Sequence, residues 1–416
     1  MKKIILCIML VGLFIGCGEK KEKQAAEKKK KITVLVAPWY SFPETLLQEF
    51  TAESGIEVEV ENLAWDSMKN KVVTAVSAGT SPADVAQFTS GWVGSLGKDG
   101  YFEDLSGYLT EEDKKDMANI PLFSYEGKLF GIPTYNDFRL TYINKKKFMD
   151  AGIKVPVTIT ELSASLEKLN TIEKGSLMVP YSATSATATP WFLMTKAYGG
   201  EVFDENWNPL FAEKGSAGYK AMEFLINAYK NQLVDPNAVT YSGSDVVSNF
   251  KNGKGAVDLA GWSGNVTVYT AEDSKIKDDV QAILVPGLDG NSRTYSLAES
   301  FGIPAKAENK AEAVEFLLWL NRKDIMKKTF TEMGIFPNRI SVIKELSNEG
   351  KLPFGDVVAE TLPKIETLFV NAKPAWYSEF ITETVTVINQ MAKGSISVDE
   401  GLNKLSDFSI RVRDEK

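Results

Sequence analysis

The residues of this chain that could act on a small molecule are mainly aromatic. Six of the 8 tryptophans stand at predicted strand ends or beside Pro, Gly, Ser or Asp: Trp39, Trp65, Trp92, Trp191, Trp262 and Trp376. Indole faces stack on the weakly polar CH faces of sugar rings, while nearby carboxylates and amides form hydrogen bonds with ring hydroxyls. The pattern indicates a sugar-binding cleft, although core packing explains any one tryptophan about equally well.

The other two tryptophans have simpler interpretations. Trp319 lies among Phe316, Leu317 and Leu320 in the predicted helix "AVEFLLWLNRK", so we expect it in the core. Trp207 lies in the polar turn "DENWNPLF", where a surface position is expected.

The composition excludes several kinds of chemistry. The chain has no histidine, and its 2 cysteines are Cys7 and Cys17, both near the N-terminus. Metal sites built on His or Cys are therefore not expected, and neither is Ser-His or Cys-His catalysis. We expect no cofactor and no metal. The formal net charge of the whole chain is −8. Without Lys2, Lys3 and the lysine-rich segment before Ile32, the net charge of residues 32–416 is −14. A domain with so negative a charge is not expected to bind nucleic acid.

The N-terminus predicts export and a lipid anchor. Lys2 and Lys3 precede an apolar run, residues 4–16, which is too short to span a membrane but typical of a signal peptide. Its end, "LFIGC", resembles the lipobox of bacterial lipoproteins, with Phe14 where Leu is commonest. The resemblance implies cleavage after residue 16 and lipidation of Cys17, and the alternative is an ordinary secretory signal with a chance cysteine. Residues 18–31 are charged or small and are expected to form a tether.

The positions of the candidate residues depend on an alternation of strands and helices. Strands are predicted at 32–37, 56–63 and 84–88, with helices between them, and this order indicates a parallel sheet. Such sheets bind ligands beyond the carboxyl ends of their strands. The 385 residues that follow the tether exceed one compact core, so two lobes are expected.

Six stretches together resemble a known family. They are "SAGTSPADVAQF", "EGKLFGIPTYNDFRLTYINKKKF", "YGGEVFDENWNPLF", "FKNGKGAVDLAGWSGN", "SFGIPAKAENKAEAVEFLLWL" and "KPAWYSEF". In this order and spacing they are similar to family 1 extracellular solute-binding proteins of ABC importers, in the branch of the maltose- and multiple-sugar-binding proteins. The resemblance runs from about residue 32 to the C-terminus.

The resemblance implies an α/β, two-lobed periplasmic-binding-protein fold, with the ligand cleft between lobes joined by crossing strands. The crossings match residues 131–137 and 280–287, with a third connection near 334–338. Lobe one would then comprise residues 32–135 plus 285–332, and lobe two residues 136–284 plus 333–416, after the signal peptide at 1–16 and the segment 17–31.

The resemblance also implies ligand-binding positions. Trp376, Tyr377, Trp262 and Trp191 match aromatic positions of the sugar-binding relatives, and Asp137, with Asn136 beside it, matches a carboxylate that accepts sugar hydroxyls. The loops that follow lobe-one strands supply Trp39, Tyr40, Thr89, Ser90 and Trp92. Trp65 and Glu299 are added from their places at strand ends. Asp137 could instead pair with Arg139, and Glu299 could be a surface carboxylate.

The sequence therefore predicts a lipid-anchored, monomeric binding protein in the cell envelope that is not an enzyme. It would capture a neutral mono- or oligosaccharide by hinge closure and deliver it to the transmembrane subunits of an ABC permease with its ATPase. One alternative is a surface glycoside hydrolase, which needs two carboxyls across the scissile bond. Another is a carrier for a sugar phosphate or other small anion, which needs free Arg or Lys in the cleft, where only Arg139 suggests itself.

Overall fold

The computed structural model describes residues 30–97, 99–369, 374 and 376–415. The predicted signal peptide, Cys17 and the tether up to residue 29 lie outside the described residues. The strands are β1 Lys30–Val36, β2 Ile56–Asn62, β3 Val85–Thr89, β4 Ser124–Tyr125, β5 Lys128–Leu129, β6 Ile132–Tyr135, β7 Arg139–Asn144, β8 Leu177–Met178, β9 Val257–Trp262, β10 Val280–Ile283, β11 Thr294–Tyr295, β12 Glu299–Gly302 and β13 Ile365–Glu366.

Helices fill the connections between most of these strands. They are α1 Glu44–Ser54, α2 Trp65–Ser77, α3 Glu111–Asp116, α4 Lys145–Asp150, α5 Ile159–Ile172, α6 Ala188–Ala197, α7 Ala217–Lys230, α8 Gly243–Lys251, α9 Asn265–Thr270, α10 Lys310–Leu320, α11 Lys323–Met333, α12 Ile340–Asn348, α13 Gly355–Thr361, α14 Tyr377–Ala392 and α15 Val398–Asp414. Across the described ranges, no helix is both long enough and apolar enough to cross a bilayer.

Two main sheets define two lobes. The first has the strand order β2-β1-β3-β12-β6, and the second has the order β10-β7-β9-β8. In the first sheet β1 pairs in parallel with β2 and β3, while β12 lies antiparallel between β3 and β6. The predicted α/β, two-lobed fold is confirmed, and so is the parallel start of the first sheet.

The first strand–helix unit follows from its local sequence. β1 is apolar and buried from Ile32 onward, apart from Thr33, because helices cover the sheet. Gly55 ends α1 in the left-handed region, at φ 73°, where glycine carries no steric penalty. α1 begins at Glu44, and the Ser41 hydroxyl does not cap it but donates to Pro38 O and Asn62 Oδ1.

The chain first crosses between the sheets at residues 136–138, between β6 and β7. The second crossing follows β11, since Val285 and Tyr295 still pack in the core of the second lobe. β10 pairs antiparallel with β7, so the chain is still in the second lobe at Ile283. It returns beside the first crossing, where the Leu297 amide donates to Asp137 O over 2.7 Å, and then enters β12.

The segment after the third connection also differs from the prediction. Residues from 333 onward were expected in lobe two, yet α12 packs on α11, and Lys327 forms ion pairs with Glu345 (2.7 Å) and Glu349 (2.8 Å). Arg339 binds Asp113 of α3 over 2.6 Å. These contacts hold α12 on the first lobe, and the chain rejoins the second where β13 pairs with β11.

Candidate ligand-binding site

Three tryptophans form a row on the first lobe. Trp39 lies in a 3-10 turn after β1, Trp65 begins α2 after β2, and Trp92 ends a 3-10 turn after β3. The ring centroids of Trp39 and Trp65 are 5.3 Å apart, and those of Trp65 and Trp92 are 5.4 Å apart. Their strands are neighbours in one parallel sheet, so the carboxyl ends bring the three side chains together. Trp39 is 48% exposed and Trp92 only 6%, so the row runs from solvent into the lobe.

Glu299 lies beside this row at the start of β12, opposite Thr89 of β3. Its Oε2 accepts a hydrogen bond from Gln87 Nε2 at 2.5 Å and one from the Trp39 indole N–H at 3.4 Å. Burial and the nearby negative charge of Asp137 raise the pKa of Glu299 to about 8. The Glu299 carboxyl group is therefore hydrogen-bonded to Trp39, the most exposed tryptophan of the row.

Asp137 and Arg139 occupy the first crossing. Arg139 donates two hydrogen bonds to Asp137, at 3.1 and 2.7 Å, and both side chains are buried. Asp137 therefore forms the local ion pair with Arg139 that the sequence offers as the alternative to ligand binding. The Arg139 guanidinium also lies 5.8 Å from the ring centroid of Trp262, within the range of a cation–π contact. The crossing thus joins an ion pair to an aromatic residue at the end of β9.

Trp262 borders a small open pocket in the second lobe, with an empty volume of ≈ 340 Å³. Its walls include Pro180, Pro190 and Val246, and Asp258 is the ionisable group in its lining. Asp258 accepts a hydrogen bond from the Tyr269 hydroxyl at 2.6 Å, and burial raises its pKa to about 6. Sequence reasoning missed this pocket, although an acidic residue inside the apolar strand "GAVDLAGW" was an available signal.

Several predicted site residues lie in the lobe interiors. Trp191 is 0% exposed in α6, where its indole N–H donates to Gly218 O at 2.9 Å. Trp376 is 4% exposed and packs edge-on against Phe203 and Trp207, with centroid distances of 5.4 and 5.6 Å. This conformation leaves little of either indole for a ligand, because helices and loops distant in sequence cover both. Trp207, expected at the surface, is half-buried by the same packing.

The remaining candidates are divided between interior and cleft-side positions. Tyr40 is buried against Phe301, and Asn136 is buried where its amide oxygen accepts from Asn119. Ser90 is also buried, whereas Thr89 and Tyr377 are half-buried. Burial raises the pKa of Tyr377 well above its usual value.

The lobes touch on the side of these residues. Lys69 of α2 donates to the Ser378 hydroxyl of α14 over 3.2 Å, although α2 and α14 belong to different lobes. Trp65 is in the same helix as Lys69, and Tyr377 precedes Ser378. Within the described part of the chain, no group of three or more acidic residues is arranged to hold a metal ion.

Two α/β lobes joined by strands that cross between them are the architecture of binding proteins of the periplasmic type. The chain belongs to the family of bacterial extracellular solute-binding proteins, which matches residues 37–327. It is 27% identical to a binding protein of Brucella abortus over 94% of this chain and 93% of the other. It is 25% identical to the mannitol-binding protein of Pseudomonas aeruginosa, over 68% and 66% of the two chains. Its fold matches the maltose-bound MalE3 of T. maritima with a TM-score of 0.82 and 18% identity, over 92% of this chain and 99% of that one.

Proposed function

We propose that this protein is the substrate-binding subunit of an ABC importer and that its ligand is a neutral sugar or polyol. The observation that carries the proposal is the row of Trp39, Trp65 and Trp92 beside the Glu299 carboxyl group. Such a wall offers apolar faces for CH groups and an oxygen for hydroxyl donors. The names of the mannitol-binding relative and the maltose-bound structure support the same ligand class.

The proposed mechanism is closure of the two lobes around the ligand. A ligand that contacts both lobes stabilises the closed state by as much as it binds that state better than the open one. The contact between Lys69 and Ser378 is compatible with a closed or nearly closed conformation. The closed form would then be the one presented to the transmembrane subunits, whose ATPase drives import.

The arrangement of charges argues against both alternatives. A glycoside hydrolase needs one carboxyl group as acid and a second as base or nucleophile. Asp137 is unsuited to either role because both its oxygens accept from Arg139. The Arg139 guanidinium, which a sugar phosphate would need as its partner, is already paired with Asp137. We therefore propose binding without chemical change.

A ligand panel tests the proposal. The protein without residues 1–17 is screened by thermal shift against mono- and oligosaccharides and polyols, and hits are measured by titration calorimetry. We expect at least one neutral sugar or polyol to bind with one site per chain and to be recovered unchanged. Binding of none, or recovery of a shortened sugar, contradicts the proposal.

We also propose that Cys17 is lipidated and anchors the protein to the cell membrane. This rests on the sequence alone, since Cys17 is outside the described residues. Two or more acyl chains are what stable anchoring requires. Cys17→Ser is expected to move the protein from the membrane fraction to the soluble fraction, and retention as firm as that of the wild type contradicts the anchor.

A further inference from the structure

Glu299 differs from the other carboxylate of the cleft in having no cation of its own. Asp137 is held by Arg139, whereas the hydrogen bonds that Glu299 accepts from described residues come from two neutral donors, Gln87 and Trp39. Both donors bind Oε2, so in the described structure Oε1 has no hydrogen-bond partner from the chain. Glu299 is half-buried, and a carboxylate that is partly removed from water without a cation is costly to ionise.

The groups that face Glu299 do not supply the missing charge. Gln87 comes from β3, Trp39 from the turn after β1 and Tyr135 from β6, and all three are neutral at pH 7. Asp137 and Arg139, which border β6 and β7, cancel each other in their ion pair. Among these described groups, an ionised Glu299 therefore leaves an excess of one negative charge.

The aromatic row adds a second feature that favours a cation. The indole N–H of Trp39 points at Glu299, its ring is half exposed, and the Trp65 ring centroid lies 5.3 Å from its own. Aromatic faces attract ammonium groups through the quadrupole of the ring, most strongly for tryptophan. A ligand group placed between Glu299 and these rings thus meets a carboxylate and a π-face at once.

We propose that Glu299 selects the ligand by charge: the cleft accepts neutral sugars and polyols, favours analogues with an ammonium group beside Glu299, and rejects those with a carboxylate or phosphate there. This inference rests on the proposed function, because it concerns the same cleft. The ammonium would donate to the free Oε1 and supply the charge that the chain does not.

Proton release gives the proposal a signature of its own. The pKa of Glu299 is raised to about 8, so at pH 7 the empty cleft holds this carboxyl group mainly protonated. A bound ammonium group lowers that pKa, since an opposite charge nearby favours the ionised form. Binding of an amino analogue must then release up to one proton per molecule, whereas a neutral analogue leaves the proton in place.

The test uses two matched sets of probes: mannitol, 1-amino-1-deoxymannitol and mannonate, and glucose, glucosamine and glucuronate. Titration calorimetry at pH 7, in buffers of different ionisation enthalpy, gives the affinity and the protons released. In the set whose neutral member binds, we expect the amino member to bind about tenfold more tightly with release of a proton, and the acid to bind at least tenfold more weakly. Glu299→Gln should bring the amino-to-neutral ratio to about one and abolish proton release. Glu272→Gln, at an exposed pair with Lys277, is the matched control and should keep the wild-type ratio.

Two results overturn the inference, and they differ from failure of the proposed function. If the neutral member binds but the amino member binds no more tightly, Glu299 is not a charge selector, although the protein still binds sugars. The inference also fails if Glu299→Gln keeps both the preference and the proton release. If no sugar or polyol in the sets or in the panel binds, the proposed function fails and this inference fails with it.

Discussion

Lys69 and Ser378 join the two lobes through a hydrogen bond of 3.2 Å between the ammonium group and the hydroxyl. They are separated by 309 residues in sequence. Lys69 lies in α2, which begins at the candidate ligand residue Trp65, and Ser378 lies in α14, which begins at the candidate Tyr377. Because the contact joins the two lobes, its loss should act on closure rather than on the folding of either lobe.

We predict that Ser378→Ala weakens ligand binding about two- to tenfold, the value of an ordinary intramolecular hydrogen bond worth about 0.5 to 1.5 kcal/mol. Unfolding free energy without ligand should change by less than about 0.5 kcal/mol, as for other surface substitutions. Calorimetry and small-angle scattering measure affinity and closure. Thr386→Ala, on the same helix, is the control because the Thr386 hydroxyl donates to Thr382 O of its own helix. Equal affinities of the Ser378 variant and wild type would remove the contact from the mechanism.

Trp39 and Trp191 should respond in opposite ways. Trp39→Ala removes an exposed face and is expected to weaken sugar binding by about 1 to 3 kcal/mol with little loss of stability. Trp191→Ala leaves a cavity in the second lobe and should cost about 3 to 5 kcal/mol of unfolding free energy, with affinity per folded molecule unchanged. Urea unfolding and titration of both variants decide the matter. A Trp39 variant that binds normally argues against the tryptophan row as the sugar platform.

Trp376 is predicted to be a stability residue. Its packing against Phe203, Trp207 and Phe380 means that Trp376→Ala should cost about 3 to 5 kcal/mol of unfolding free energy, while Trp376→Phe should cost less because it keeps part of the aromatic contact. Denaturant unfolding of both variants without ligand measures this. A Trp376→Ala protein of wild-type stability, with affinity reduced by more than tenfold, would instead place Trp376 in the binding site.

Asp137 should matter to folding even without ligand. Asp137→Asn leaves the buried Arg139 charge without its carboxylate, and breaking such a pair costs about 3 to 5 kcal/mol. Asp113→Asn is the matched control: Arg339 keeps Asp116 at 3.4 Å, so a loss below about 1.5 kcal/mol is expected. Thermal and urea unfolding compare the two, and similar losses would show that the environment of Arg139 is wetter than its burial indicates.

Two raised carboxyl pKa values make native stability fall with rising pH. In the unfolded chain Glu299 and Asp258 titrate near pH 4, but burial raises the folded pKa of Glu299 to about 8 and that of Asp258 to about 6. Between these values the folded protein holds protons that the unfolded chain has released, so stability is greatest at the acidic end and is lost as pH rises.

Glu299→Gln should therefore reduce the fall in unfolding free energy between pH 6 and 8, whereas Asp258→Asn should change the slope only below about pH 6. Urea unfolding at pH 5, 6, 7 and 8 measures both. Parallel stability curves for wild type and Glu299→Gln would mean that Glu299 titrates normally in the folded protein.

The sequence was sufficient for features that depend on local pattern. The apolar run at Ile32 and the alternating pattern after Ile56 predict β1 and β2, and the apolar neighbours of Trp319 predict its burial, which is confirmed at 5% exposure. Each signal lies within a few residues of the feature it specifies. The loops that carry Trp39 and Trp92 could be located for the same reason.

Features that depend on distant partners could not be located in this way. Trp376 is covered by Phe203, which is more than 170 residues away in sequence, and nothing in "KPAWYSEF" distinguishes a covered tryptophan from an open one. The place where the chain returns to the first lobe has the same cause, because it is decided by the pairing of β12 with β3 and β6. Whether a tryptophan is buried depends on the assembled lobe and not on the residues beside it in sequence.

The position of β12 between β3 and β6 also restricts the order in which the chain can fold. Its partners in the first sheet are complete by Tyr135, but β12 begins at Glu299, so this sheet has a gap until more than 160 further residues have been synthesised. An early chain cannot satisfy the backbone groups of β3 and β6 on that side, and contacts of such sequence separation form slowly. The first lobe can therefore complete its sheet only after most of the second lobe has been synthesised.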